Sequence, residues 1–204
     1  MPPPDQARRD VLISKAMSYL LRHGAVKEKL AIDDQGYVKI SDILSHQRLK
    51  SFKTTREDLD RIVRDNDKKR FTIMDDMICA NQGHSLKTVN NDNLTPMSLD
   101  ELTKLKIYHG TYKNKLATIK QSGGLNKMNR NHIHFTCEEY ATCSGIRYNA
   151  NVLIYVDVER CTEAGIKFFI SLNNVILTSG DADGKIPWEF VDKVVDLEGK
   201  TIDI

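Results

Sequence analysis

Residues Asn129–Thr136 read NRNHIHFT. As a β-strand this run would set Arg130, His132 and His134 on one face and Ile133 and Phe135 on the other, because successive side chains alternate. Three chemistries fit such a polar face. Two histidines one residue apart can share a metal, although no Asp, Glu or Cys stands beside them as a third ligand. They can instead form a buried, neutral, hydrogen-bonded pair. With Arg130 they can also line a polar cleft, where a guanidinium grips a phosphate through its fork of donors and an imidazole meets a ribose hydroxyl.

Similar residue types recur nearby. YHGT (108–111) places His109 before Gly110, which lets a ligand approach the backbone closely, and before the hydroxyl of Thr111. SGIR (144–147) repeats hydroxyl, glycine and cation in Ser144 and Arg147. Together these clusters suit a ligand bearing phosphate and sugar, and they contain no evident nucleophile with its base. Further upstream, LLRHG (20–24) puts Arg22 and His23 at the end of a helix, where cations meet the negative end of its dipole. NDKKRF (66–71) puts Arg70 in a basic turn. On residue type alone, both also have an ordinary structural explanation.

Several site classes lack their signature. No Gly-x-Gly-x-x-Gly follows a strand and no Walker loop occurs. GDADGK (180–185) has its glycine in the wrong place for an EF-hand and reads as a β-turn. Cys79, Cys137, Cys143 and Cys161 form no Cys-x-x-Cys pair, so reduced thiols of an intracellular protein, in cytoplasm, nucleus or both, and no metal centre are expected.

These residues must be positioned by 204 residues, 40% of them hydrophobic, enough for one domain or two small ones. Net charge is +2, but residues 1–90 carry 17 Lys and Arg against 13 Asp and Glu, while the remainder carries 13 against 15. A basic first half beside an acidic second half suggests two modules with different ligands. No apolar run approaches the ~20 residues needed to span a bilayer. MPPPDQARRD lacks an apolar signal core and reads as a short disordered lead.

The first half predicts a helix over 12–23, from Leu12, Ile13, Ala16, Met17, Leu20 and Leu21, with Gly24 as its stop. DDQGY is a turn, and Val38 and Ile40 open a strand. Ser41 caps a second helix and Thr55 a third, and RFTIMDDMICA folds as a hairpin. That order is a winged helix, an architecture that serves RNA or protein binding. NNDNLTPMS (90–98) is the expected linker. Beyond it, LKIYHGT, HIHFT, NVLIYVDV and KFFISLNNVILT read as strands, KNKLATIKQSGG as a helix, and IPWEFVDKVVDL as ending in a strand. A compact, mostly antiparallel α+β domain follows.

SKAMSYLLRHG, QGYVKISDIL, VRDNDKKRF, ANQGHS, YHGT, RNHIHF, SGIRYNANVLIYVD and SLNNVILTSG, in this order from about Ile13 to Val195, resemble the RNA 2′-phosphotransferase family, that is, the tRNA 2′-phosphotransferases. The resemblance implies a winged-helix RNA-binding lobe over 1–92 and an ADP-ribosyltransferase-like lobe that binds NAD⁺ over 98–204. It implies removal of the internal 2′-phosphate left in ligated tRNA. It carries catalytic roles onto Arg22, His23, Arg70 and Arg130, with Arg147 the competitor for the last place. It carries NAD⁺ contacts onto His109, Gly110, Thr111, His134, Ser144 and Arg147. The partners implied are NAD⁺ as co-substrate and an RNA with an internal 2′-phosphate, with no metal, no membrane and a monomeric enzyme. Two alternatives keep parts of this reading: ADP-ribosyl transfer to a nucleic-acid terminal phosphate or a protein, and an inert RNA-binding winged helix.

Overall fold

The computed structural model describes residues 4–90, 94–140 and 149–203. The chain divides into two compact units, Met1–Asn93 and Leu94–Ile204.

In the first unit, α1 (Pro4–Tyr19) begins inside the segment expected to be a disordered lead, and passes without a break into a π-helical turn, Leu20–Gly24. Ile13, Met17, Leu20 and Leu21 are fully buried, whereas Leu12 is 40% exposed, one position off the core-facing stripe. The helical element ends at Gly24 as expected, but Gly24 is not a left-handed cap: Ala25 stays in the right-handed region, and hydrogen-bonded turns run on to Lys29, which adopts a left-handed φ of 59°, with Leu30 N–H donating to the Ala25 carbonyl and Lys29 N–H to that of Val26. There follow β1 (Tyr37–Lys39), α2 (Ile40–Ser45), α3 (Gln47–Lys50), α4 (Arg56–Asp65), and the hairpin of β2 (Phe71–Met74) and β3 (Met77–Ala80). Ile40 belongs to α2 rather than to the strand, and Lys39, not Ser41, is the N-cap. The three strands form an antiparallel sheet in the order β1-β3-β2. The helices bury Leu49, Leu59 and Ile62 against Val38, Phe71 and Ile78 of this sheet.

Thr55 caps α4 through a reciprocal capping box with Asp58. Asp58 also accepts hydrogen bonds from Arg9 at 2.6 and 2.8 Å and from Arg61 at 2.7 Å, and Arg61 reaches Asp10 at 2.8 Å. The carboxylate thus fastens α1 to α4 while remaining only 7% exposed.

The second unit is built on antiparallel strands. Its elements are β4 (Thr95–Pro96), α5 (Leu99–Leu105), β5 (Tyr108–Thr111), α6 (Leu116–Gln121), β6 (Gly124–Asn126), β7 (Ile133–Phe135), β8 (Val152–Val156), α7 (Val158–Glu163), β9 (Phe169–Ile170), β10 (Ile176–Thr178), β11 (Lys185–Pro187) and β12 (Val191–Asp196). Four strands pair as β4-β9-β10-β7, three as β12-β8-β5 and two as β11-β6. A bridge between Tyr108 and Thr136 joins the first two groups beside β5 and β7. Ile133, Phe135, Ile154, Phe168 and Ile176 lie in the common core, against which α5 and α7 place Leu102 and Cys161. KFFISLNNVILT is not one strand but a tight hairpin. Asn174 takes a φ of 59°, and the Ser171 hydroxyl accepts from Val175 N–H at 3.0 Å. The chain is therefore α+β, helices with antiparallel sheets. No helix among the described residues is long and apolar enough to cross a membrane.

Removing the Asp58 carboxylate leaves two arginines facing a partly buried gap and opens the α4 cap. Asp58→Ala is expected to lower stability by about 3 kcal/mol, read from the urea midpoint by far-ultraviolet circular dichroism. The hydrogen bond from Arg9 holds the Asp58 carboxyl well below the usual carboxylate range. Its folded pKa is thus lower than its unfolded one. The stabilisation is present above about pH 4 and lost as pH falls further, so wild type and variant should converge in acid.

Candidate functional site

In the first unit the π-helical turn carries Arg22 and His23. A widened turn of this kind re-aims side chains relative to the helix before it and is frequent at functional sites. Packing at Gly24 leaves no room for a side chain there: a Cβ would lie 2.6 Å from Cε1 of Tyr19. The Tyr19 ring is itself held, with the Arg48 guanidinium 4.3 Å from its centroid and its hydroxyl donating to Glu28 at 3.3 Å. Nε and Nη2 of Arg22 are shielded from solvent, while His23 is exposed.

Arg70 lies between α4 and β2 and is half-buried. The Asn66 side-chain oxygen accepts from Arg70 Nη1 at 3.3 Å and from Lys68 N–H at 3.1 Å, which folds the basic turn back on the helix end.

The segment Asn81–Ser85, immediately after β3, connects the two basic sites. Asn81 N–H donates to the Arg70 carbonyl at 2.9 Å, and its side chain donates to the Lys69 carbonyl at 2.7 Å while accepting from the Thr72 hydroxyl at 2.7 Å. Ser85 N–H donates to the Arg22 carbonyl at 2.9 Å, and Ser85 Oγ pairs with His23 Nδ1 at 2.9 Å. Between them Gly83 has a φ of 87°, a conformation that favours glycine, and runs beside the Arg22 stem. Arg22 and His23, and Arg70 more than forty residues further along the sequence, are therefore braced by one five-residue stretch. The sequence reading gave Asn81 and Ser85 no role. Their signal was the cluster of Asn, Gly and Ser directly after a strand, where such side chains bind backbone groups.

In the second unit His109 on β5 and His134 on β7 are brought together. His109 Nδ1 donates to the His134 carbonyl at 2.8 Å, and its ring stands edge-on to Phe135 at 6.0 Å. A carbonyl only accepts, so Nδ1 of His109 carries a proton. His132 and His134 are 9% and 8% exposed. Burial pushes the His132 imidazole down to about 4 and that of His134 down to about 3, the latter helped by Arg130. Both rings are neutral near pH 7. Gly110 and Thr111 are buried on β5.

Arg130 is not part of a strand. The strand begins at Ile133, and Arg130 sits in an exposed turn where its N–H donates to the Lys127 carbonyl at 3.1 Å. Met128, with a φ of 55°, makes that turn, and Asn126 Oδ1 accepts its N–H at 2.6 Å. Arg130 and His134 are therefore not set on one face by strand alternation. Ser144 and Arg147 lie outside the described residues. Among the described residues, no three His, Cys, Asp or Glu gather in a way that could hold a metal ion. Burial raises the Cys79 thiol to about 11 and that of Cys161 to about 12, so neither is a thiolate nucleophile near neutral pH.

The sequence model of a family described as "RNA 2′-phosphotransferase, Tpt1 / KptA family" matches residues 8–180. A protein of Saccharomyces cerevisiae named "tRNA 2′-phosphotransferase" is 42% identical over 199 residues, covering 92% of this chain and 84% of that protein. One of Danio rerio, "tRNA 2′-phosphotransferase 1", is 39% identical over 189 residues, 88% of this chain and 83% of that one. A bacterial relative of Pseudomonas syringae, "Probable RNA 2′-phosphotransferase", is 33% identical over 187 residues, 90% and 94% of the two chains.

Two outcomes follow from this geometry. Gly24→Ala forces the Tyr19 ring to move and should destabilise the π-helical turn, lowering the urea midpoint of the whole chain by an amount equivalent to about 1–3 kcal/mol. His132 and His134 take up protons in the unfolded chain near 6.5 but only near 4 and 3 when folded. Their burial costs nothing above about pH 7, and stability should fall as pH drops from about 6.5 toward 4. His134→Gln should flatten that dependence in urea titrations at successive pH values.

Proposed function

Because this chain belongs to the RNA 2′-phosphotransferase family, a family of transferases, we propose that it removes the internal 2′-phosphate of ligated tRNA by transferring it to NAD⁺. The first unit is the winged-helix, RNA-binding lobe, and the second is ADP-ribosyltransferase-like and holds NAD⁺. The RNA 2′-phosphate attacks C1″ of the nicotinamide ribose and nicotinamide leaves. The ribose 2″-hydroxyl then attacks the phosphorus of that intermediate. RNA with a free 2′-hydroxyl and ADP-ribose 1″,2″-cyclic phosphate are the products.

The observation that carries the reading is the joint bracing of Arg22, His23 and Arg70 by Asn81–Ser85. A transferred phosphoryl group spreads negative charge over its oxygens, and fixed cationic forks stabilise that charge without reorganising during the reaction. Arginine grips two oxygens at once, which a lysine does not. The family resemblance also gives Arg130, on the second unit, a catalytic role. His23, exposed at the π-helical turn, binds the phosphate or accepts the 2″-hydroxyl proton. NAD⁺ lies against His109, Gly110, Thr111 and His134, with Ser144 and Arg147. The neutral ring of His134 suits ribose hydroxyls and the cationic nicotinamide better than an imidazolium ion would. NAD⁺ brings its own leaving group, so the protein's task is mainly alignment of nucleophile and ribose.

Incubating the protein with NAD⁺ and a short RNA bearing one internal 2′-phosphate should yield the cyclic phosphate and dephosphorylated RNA. Arg22→Ala and Arg70→Ala should each slow the reaction by about 10²–10³-fold. Stable labelling of RNA or protein with ADP-ribose, without loss of phosphate, would point instead to ADP-ribosyl transfer to another acceptor.

A further inference from the structure

His23 is exposed, on a turn, and carries a side chain with two rotatable bonds. Ser85 meets it twice over. Its N–H donates to the carbonyl of Arg22, the residue before, and its Oγ lies 2.9 Å from His23 Nδ1. The backbone bond sets where the hydroxyl stands relative to the turn, and the hydroxyl then sets the ring. Ser85 is anchored from behind by Leu86 and Val89, which pack with Ala25 in a small separate core.

A hydroxyl has a property here that a carboxylate or a carbonyl lacks. It donates to a bare Nδ1 and accepts from a protonated one, by rotation of a single O–H bond. The imidazole consequently keeps one orientation whether neutral or cationic, with Nε2 directed away from Ser85 in both states. Binding a phosphate favours the charged ring and accepting a hydroxyl proton needs the neutral one, and either role is served by a ring that keeps its direction.

We propose that Ser85 is a positioning residue that holds the His23 imidazole through Nδ1, so that Nε2 is presented in one direction in either protonation state. Its catalytic consequence rests on the phosphotransferase reading above. The hydrogen bond to the ring does not.

The test uses the full chain. Long-range ¹H–¹⁵N spectra of the imidazoles are recorded from about pH 5 to 9 for wild type, Ser85→Ala and Ser85→Thr, with the His23 signals assigned through His23→Asn. The same proteins are assayed for kcat and for KM with NAD⁺ and 2′-phosphorylated RNA. Ser85→Ala is expected to displace the His23 Nδ1 resonance while leaving the ring resonances of His46, which belongs to the same unit, in place, and that also certifies the fold of the unit. It should lower kcat about tenfold or more, with KM for NAD⁺ within about twofold of wild type, and Ser85→Thr should restore both readouts. Should Ser85→Ala fail to fold, Ser85→Cys keeps the volume, weakens the hydrogen bond and carries the same comparison. An unchanged His23 spectrum, or an unchanged kcat, overturns the proposal. So does a fall in kcat with the His23 signals unmoved, since that is a merely structural effect. A wild-type protein without transferase activity would sink the functional reading, and the spectra would still decide whether Ser85 orients the ring.

Discussion

The hydrogen bonds made by Asn81 and Ser85 are the constraint on which the candidate site of the first unit depends. Ser85 N–H holds the Arg22 carbonyl and Asn81 N–H holds the Arg70 carbonyl, each at 2.9 Å. Backbone bonds of this kind fix where a side chain starts, and the long, entropically costly arginine stems then have less to lose on meeting an anion. The arrangement is economical because β3 delivers Asn81 directly. Its register with β2, Phe71 opposite Ala80, puts Asn81 beside Arg70. The site is thus an extension of the hairpin and of the helix before it, and the core that holds those elements also holds the cations.

The second unit solves a different electrostatic problem. It buries imidazoles. His134 lies on β7 between Ile133 and Phe135, and His132 just before the strand, yet both are as enclosed as many core residues. Desolvation keeps them uncharged, and the His134 carbonyl in turn accepts from Nδ1 of His109. Neutral rings recognise hydroxyls and amides by direction rather than by charge. The neutrality of these rings follows from burial and local partners, not from the modest difference in formal charge between the halves.

Much of this was legible in the sequence and some was not, for identifiable reasons. The Thr55 cap was readable because a capping residue precedes an amphipathic run. The same box at Ser98 and Glu101 starts α5, but that helix is only seven residues long and gives no sustained periodicity to notice. The Asp75–Asp76 hairpin was plain from two β-rich runs flanking a turn pair. The hairpin inside KFFISLNNVILT was hidden, because its Asn-Asn turn sits between residues that all favour strands. A π-helical turn has no residue signature, so Gly24 read as an ordinary helix stop and its close approach to Tyr19 was hidden. Arg130 was misplaced in a strand because asparagines at 126, 129 and 131 compete for turns, and Asn126 wins the N–H of Met128. Residue types in LLRHG and KKRF were visible, but the stretch that braces them was not, since both its backbone N–H groups and the Asn81 side chain act on backbone carbonyls that residue types do not reveal.

The most direct measurement of the central claim needs no NAD⁺. It compares the affinity of the protein for a short RNA carrying one internal 2′-phosphate with that for the same RNA carrying a 2′-hydroxyl, for wild type and for Asn81→Ala. If Asn81–Ser85 holds Arg22, His23 and Arg70 as one phosphate site, the wild type should prefer the phosphorylated RNA by about tenfold or more, and the variant should lose that preference while binding the unmodified RNA as before. Equal wild-type affinities for the two RNAs, or a preference that survives in Asn81→Ala, would contradict it.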